Sequence, residues 1–203
     1  MCARFNVMNI SRHRMCTDSK GISTLVTLYG CPLKCEYCIN DYCHDENTNT
    51  YILSGEELAD ILRIDDMYFR MSNGGITFGG GEPLLYADDI LDFVLWDMPE
   101  GWKVTIETSL NVEWDKVECL AEIVDYWIID IKDMNPEIYE RYTKMGNEKV
   151  IYNLKKLSSI IGKEKIKVRV PNIPGYNTEN DVVRSKEIVE GLAGEVEVFL
   201  YRK

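Results

Sequence analysis

Apolar residues recur along this chain in two periods that alternate with each other. Short runs rich in Val, Ile, Leu and Thr predict strands at 22–29, 75–78, 103–108, 126–132, 165–170 and 195–201. Between them apolar residues recur every three to four positions and predict helices at about 55–71, 87–96, 114–124, 150–160 and 179–192. Ile90, Leu91, Val94 and Leu95 share one face, as do Val117, Leu120, Ala121 and Val124. Ser54 with Glu57 three residues on is a capping box, and Thr178 with Asp181 resembles one. Pro136 suits the first turn of a further short helix. Residues 1–21 are irregular and locally basic and read as a leading strand or flap.

Strands that alternate with helices argue for parallel βα units with right-handed crossovers. The segment Tyr126-Trp127-Ile128-Ile129-Asp130 is nearly all apolar, as strands covered on both faces are. Six units make either an open doubly wound sheet or part of a barrel. The polar residues sharpen that choice, because in such folds chemistry gathers at the carboxyl ends of the strands. Those ends carry Cys31, Cys35 and Cys38; Glu82; Glu107-Thr108-Ser109; Asp130 and Lys132; Arg169; and Tyr201-Arg202. Six strands pointing polar groups at one rim suit one ligand enclosed by a curved sheet.

Composition narrows the function classes. Hydrophobic content of 45% and charged content of 28% fit an ordinary globular core, and the 203 residues predict one domain. The net charge of −11 argues against a nucleic-acid partner, which needs a basic face. No apolar run reaches membrane-spanning length and the first residues lack a signal-peptide core, so no membrane partner is expected. Seven cysteines, three of them crowded together, fit a reducing cytoplasm better than a disulfide scaffold.

The cysteines carry the chemistry. Cys31, Cys35 and Cys38 are spaced C-x3-C-x2-C within eight residues, so one tight loop can aim three sulfurs at one inorganic core. Iron–sulfur cubanes normally take four thiolates, and three leave one iron open to a substrate or cofactor. The competing reading is a zinc knuckle from Cys35, Cys38, Cys43 and His44. Gly79-Gly80-Gly81-Glu82-Pro83, about 40 residues downstream after the next strand, weakens that reading, since zinc alone requires no second site. Glycine lets the backbone take unusual dihedrals and come within hydrogen-bonding reach of a ligand. Asp130 and Lys132 flank Ile131 and leave one face of their strand, as an ion pair or as ligand contacts.

The cysteine loop and the glycine stretch resemble those of the radical S-adenosylmethionine (radical SAM) enzymes. Thr77 to Leu85, Glu107-Thr108-Ser109, Asp130 to Asn135 and Arg169 to Gly175 look like successive motifs of the glycyl-radical-enzyme activases of the pyruvate formate-lyase activating type. The leader Asp18-Ser19-Lys20-Gly21-Ile22 resembles their D-G-P-G-I/V segment. The resemblance spans nearly the whole chain and implies a partial (β/α)6 barrel of TIM type with parallel strands. It implies a [4Fe–4S] cluster on Cys31, Cys35 and Cys38, whose open iron is chelated by S-adenosylmethionine. It implies reductive cleavage to a 5′-deoxyadenosyl radical, with no side chain acting as acid or base. Gly79, Gly80, Gly81 and Glu82 would hold the methionine end, Asp130, Lys132 and Arg169 would contact the cofactor, and Tyr37 would stack on the adenine or shield the cluster. Glu107, Thr108 and Asp130 would lie at a candidate monovalent cation site, Na+ or K+. The implied partners are a glycyl radical enzyme, or a peptide in the manner of peptide-modifying relatives, and a flavodoxin- or ferredoxin-type electron donor. A non-catalytic iron–sulfur or zinc module is the reading from a different class.

The sequence departs from the activase pattern in four places. Glu107 stands where Asp is usual, Arg202 stands where a His follows the last strand's Tyr, the usual final helix is missing, and so is the cysteine-rich insert of the larger activases. Cys119 is expected to be a buried hydrophobe, Cys2, Cys16 and Cys43 free thiols, and His13 and His44 surface residues without a fixed partner. Trp96, Trp102, Trp114 and Trp127 read as packing residues.

Overall fold

The computed structural model describes residues 3–15, 17 and 20–201. The expectations for Cys2, Cys16, Asp18, Ser19 and Arg202 lie outside the described residues. The elements follow the alternation read from the sequence: β1 (Arg4–Met15), β2 (Ile22–Leu28), β3 (Tyr51–Ser54), α1 (Gly55–Leu62), α2 (Asp66–Ser72), β4 (Gly75–Gly80), α3 (Ala87–Asp92) and β5 (Lys103–Thr108). They continue as α4 (Trp114–Glu118), β6 (Tyr126–Asp130), α5 (Pro136–Thr143), α6 (Glu148–Ile161), β7 (Ile166–Asn172), α7 (Glu179–Val189) and β8 (Glu195–Leu200).

Among the described residues these strands form one sheet in the order β3-β1-β2-β4-β5-β6-β7-β8. The six predicted strands, β2 and β4 to β8, pair in parallel with their neighbours. The sheet curves. Thr27 of β2 and Phe199 of β8 line the same cavity although five strand spacings separate them, and in a flat sheet that would be about 24 Å. The end strands β3 and β8 do not pair with each other, so the barrel is partial.

Of the two readings of the leader, a strand or a flap, the strand holds, and it is twelve residues long. β1 runs antiparallel to β2 and carries β3, which the sequence reading missed, on its other side. Phe5 fixes it: its ring is stacked 5.7 Å from Phe78 and meets Phe93 edge-on at 5.9 Å, all three rings being buried. Burying three aromatic rings supplies several kcal/mol, on the order of 1.5–3 for each.

Both predicted capping boxes are present, at Ser54 with Glu57 and at Thr178 with Asp181. The helix expected over 55–71 is broken by a tight turn at Arg63–Asp65. The helix expected over 114–124 stops at Glu118 and continues as i to i+3 turns, which still bury Val117, Leu120, Ala121 and Val124. After α3 the chain makes one wide π turn, Phe93–Asp97. That turn places Phe93 in the core and swings Leu95 and Trp96 outward. Trp96 is 78% exposed, so the packing role read for it does not hold, and Leu95, 55% exposed, does not share the face of the buried Ile90 as expected. Trp102 and Trp127 are buried and Trp114 packs against the core. No helix among the described residues is long and apolar enough to cross a membrane.

Candidate active site

Parallel strands end together, so the loops after β2, β4, β5, β6 and β7 share one rim. A cavity of about 900 Å³ opens there, near the upper end of the volumes usual for small-molecule sites. Cys31, Cys35, Cys38, Tyr37, Gly80, Gly81, Glu82, Glu107, Thr108, Asp130, Lys132 and Arg169 all line it. Of the residues singled out from the sequence, Gly79 is absent from that lining. It lies under Leu25 and Glu107, whose nearest atoms would stand 3.1 and 3.3 Å from an added Cβ.

The cysteine loop leaves β2 through Gly30, which has φ +94°, a conformation that favours glycine. It is then held from three sides. Gly30 N donates to Cys43 O at 3.2 Å, Lys34 N to Thr143 O at 2.9 Å, and Glu36 N to Tyr142 O at 3.2 Å. The last two bonds also satisfy carbonyls at the carboxyl end of α5.

The glycine stretch serves the same loop. Gly81 N donates to Leu28 O and Glu82 N to Gly30 O, at 3.0 and 2.8 Å. A Cβ on Gly81 would sit 2.1 Å from the Gly30 carbonyl oxygen, and one on Gly80, where φ is +96°, would sit 2.5 Å from the Thr27 Cβ. The sequence reading tied these glycines to close approach of a ligand. In the structure their missing side chains make room for the end of β2.

Glu82 is buried and its carboxylate is fully occupied. Oε1 accepts from the Thr108 hydroxyl at 2.6 Å and from Leu84 N at 3.2 Å; Oε2 accepts from the Ser109 hydroxyl at 2.6 Å and from Ser109 N at 3.0 Å. Four donors fill the four lone-pair directions of a carboxylate. Burial pushes the pKa of Glu82 up, and those donors oppose it. Glu82 therefore ties the end of β4 to the end of β5.

Across the cavity four charges meet. Arg169 Nε donates to Asp130 Oδ1 at 2.7 Å and its other arm pairs closely with Glu107, while Lys132 Nζ lies 3.4 Å from Asp130 Oδ2. Burial alone would raise the pKa of Asp130, but Lys132 and then Arg169 overrule it and hold the carboxyl below its usual range. Burial works against the charges of Lys132 and Arg169, yet Asp130 keeps both above their ordinary values. Two acids and two bases leave this wall without net charge.

The thiols respond to being crowded. Burial, then Glu82, pushes the pKa of Cys31 up to about 12. Burial also raises Cys35, against the pull of Lys132. Cys38 is lowered to about 6, chiefly because the Cys43 thiol donates to it, and Cys43 is raised in turn. Two thiols held neutral by burial beside one that ionises readily form a donor set that a cationic iron–sulfur core would bring to three thiolates. Among the described residues no three His, Cys, Asp or Glu side chains converge to hold a single metal ion.

Tyr37, expected at the adenine or the cluster, lines the cavity with Tyr201, and its ring stands 5.7 to 6.4 Å from those of Tyr142, Tyr176 and Tyr201. The Tyr37 hydroxyl donates to Pro174 O at 3.3 Å, and Tyr201 donates to Tyr37 O at 2.5 Å. Asn40 reaches the Gly80 carbonyl at 3.0 Å, and nothing in its sequence context signals it. Cys43 is buried, whereas Cys119 is partly exposed rather than fully covered. His44 is exposed as expected, but His13 has partners: Asp65 at 3.2 Å and the Tyr68 ring at 4.5 Å.

Residues 25–185 match the model of the Radical SAM superfamily. The chain belongs to that superfamily. Membership implies a [4Fe–4S] cluster and S-adenosylmethionine, and the three thiols and the cavity fit them. The radical SAM chain is similar to the (2S)-3-sulfopropanediol dehydratase activating enzyme of Klebsiella oxytoca, at 29% identity over 95% of this chain and 77% of that protein. That alignment runs over 252 positions, more than this chain has residues, so the relative carries extra residues inside the matched region. The chain is also similar to the pyruvate formate-lyase-activating enzyme of Listeria monocytogenes, at 29% identity over 66% of this chain and 56% of that protein. Among solved structures it resembles a domain of the pyruvate-formate lyase-activating enzyme from Bacteroides vulgatus, with TM-score 0.53, 25% identity, and coverage of 62% of this chain and 78% of that one. Streptococcus suis SuiB bound to S-adenosylmethionine shares the fold, with TM-score 0.67 at 18% identity over 88% of this chain and 40% of that one.

Proposed function

We propose that this radical SAM protein is an activating enzyme that generates a glycyl radical on a partner enzyme. The observation that carries the reading is the convergence of three cysteines and two balanced ion pairs on one cavity, in a chain similar over nearly its whole length to an activating enzyme. Cys31, Cys35 and Cys38 would ligate the [4Fe–4S] cluster and leave one iron for the amino acid end of S-adenosylmethionine. Bound there, the pair supplies reductive cleavage of a carbon–sulfur bond and, from it, abstraction of hydrogen.

The chain's own residues bind, orient and exclude water. Lys132, Arg169, Asp130 and Glu107 present fixed charges that are already paired, so they need little rearrangement to meet a zwitterionic ligand. Tyr37 packs among Tyr142, Tyr176 and Tyr201 beside the cluster loop and would help shield a bound cluster from water. Gly80, Gly81 and Glu82 hold the rim in register. No side chain is assigned as acid or base.

The Na+ or K+ expectation rests on Glu107, Thr108 and Asp130. Here Arg169 bridges both carboxylates and Thr108 donates to Glu82, so these oxygens do not fit a cation with Arg169 in place, and no step is assigned to one. A one-electron donor of flavodoxin or ferredoxin type completes the set of partners.

Anaerobic reconstitution tests the reading. The expected result is a [4Fe–4S] spectrum that changes on adding S-adenosylmethionine, 5′-deoxyadenosine released with a reductant, and a persistent glycyl doublet in paramagnetic resonance with a glycyl radical enzyme. Deoxyadenosine without the doublet from any such enzyme would point to peptide modification instead. One tightly bound zinc and no response to S-adenosylmethionine would reject both.

A further inference from the structure

The outer wall of the barrel carries an apolar stripe that the active site does not use. Ile61, Ile64, Met67, Tyr68 and Met71 recur at three- and four-residue spacing through α1, the turn after it and α2. That spacing puts them on one helical face. The face points to water: Ile64 is 73% exposed, Met67 67% and Met71 85%. Met15, 71% exposed, extends it, because Met15 pairs with Ile22, whose N donates to Ser72 Oγ at 2.8 Å. Core-facing residues of the same segment, Leu58, Leu62 and Phe69, are fully buried, so the helices are covered on one side and bare on the other.

We propose that this stripe is the face on which two copies of the chain pair. Three observations choose a second copy over another occupant. The six side chains are 38–85% exposed and together leave on the order of 700 Å² of mostly apolar surface in water, close to the roughly 800 Å² each protomer contributes to a standard interface. Although the chain carries a net charge of −11, the stripe is locally neutral: Asp60 pairs with Arg63 at 3.0 Å and Asp66 with Arg70 at 2.8 Å. Two like-charged molecules can therefore meet there without facing unpaired acids. Third, none of the six residues lines the cavity, and Met15 and Met71 lie toward the amino ends of β2 and β4, away from the rim. A protein seated on the stripe would be poorly placed to deliver a backbone into the cavity, whereas two copies joined there leave both mouths open.

The test is sedimentation velocity of the anaerobically reconstituted full chain between about 1 and 100 μM. The wild type is expected to sediment as a dimer that dissociates at low micromolar concentration. Met67→Glu with Met71→Glu is expected to weaken pairing at least about 100-fold, leaving monomers throughout. Both positions are exposed, and an unchanged melting temperature at concentrations where the wild type is monomeric establishes that the variant is folded. A monomeric wild type at 100 μM, or a dimer that survives the double substitution, overturns the proposal. So does hydrogen-exchange protection of 61–71 that arises only when a glycyl radical enzyme is added.

Discussion

Replacing Glu82 by glutamine tests whether its carboxylate is a structural clamp. Each Glu82 oxygen receives one backbone N–H and one hydroxyl. Whichever way the glutamine amide turns, its NH2 group faces such a pair. The hydroxyl can rotate and accept, but the backbone N–H has no alternative in this buried position. One orphaned buried donor costs about 1–3 kcal/mol, and the two bonds that survive lose a charged acceptor. Removing a buried charge returns part of this, because burial already pushes the pKa of Glu82 up. The net expectation is a loss of about 2 kcal/mol, which for a domain of this size lowers the melting temperature by about 4–8 °C. Thermal and urea denaturation of cluster-free protein measure it. Iron loading should change little, because the backbone N–H of Glu82, not its side chain, holds the Gly30 carbonyl at 2.8 Å. A stability change below about 0.5 kcal/mol would refute the four-donor clamp. Lost iron with unchanged stability would show that the carboxylate acts on the cluster loop directly.

Gly81→Ala places a methyl group 2.1 Å from one backbone oxygen and 2.8 Å from another, neither of which can swing away. The expected result is a folded protein, less stable by about 2 kcal/mol or more, with depleted iron after reconstitution; wild-type iron content would contradict the packing argument. Arg169→Lys keeps the charge but cannot bridge Asp130 and Glu107 with a planar fork. Affinity for S-adenosylmethionine by calorimetry should fall about tenfold, and Arg169→Ala should add a stability loss of about 3 kcal/mol from two facing carboxylates. Asp66 accepts from the Trp102 indole at 2.7 Å and from Arg70 at 2.8 Å, and these hold its carboxyl below the ordinary 3.8. A depressed carboxyl stabilises fully above its unfolded pKa and loses that contribution as pH falls through the folded one. Asp66→Asn should therefore narrow the stability gap to wild type as pH drops from about 7 to about 3, and a gap independent of pH would count against it.

Much of this arrangement was legible because parallel βα units tie position in sequence to position in space. Asp130, Lys132 and Arg169 sit at strand ends, so naming the strands brought them to one rim before any contact was known. Elements with weak local signals escaped. β3 has four residues and half-exposed or exposed side chains throughout, so neither periodicity nor propensity marks it. β1 reads as irregular because its register shifts twice against β2, which breaks the alternation a strand should show. The outward swing of Leu95 and Trp96 depends on one π turn, a backbone choice that a helical period cannot reveal.

Within the site the residue types were readable but their division of labour was not. A glycine triplet followed by glutamate fits a ligand cradle and a strand clamp equally well in one dimension. Packing adds the clamp to the expected cradle: the space a Gly81 side chain would need is taken by the start of the cysteine loop, and the oxygens of Glu82 are taken largely by β5 and the residue after it. The same holds for charge. Glu107, Asp130, Lys132 and Arg169 could each have met a ligand singly, yet the strand register sets Arg169 beside Asp130 and lets it reach Glu107. This wall of the cavity is thus neutral and preorganised, and a ligand that bears both an amine and a carboxylate could exchange one pairing for another without stripping any group of its partner. For that reason the polar residues of this cavity suit a zwitterion better than a simple anion or cation, independently of the family the cysteines announce.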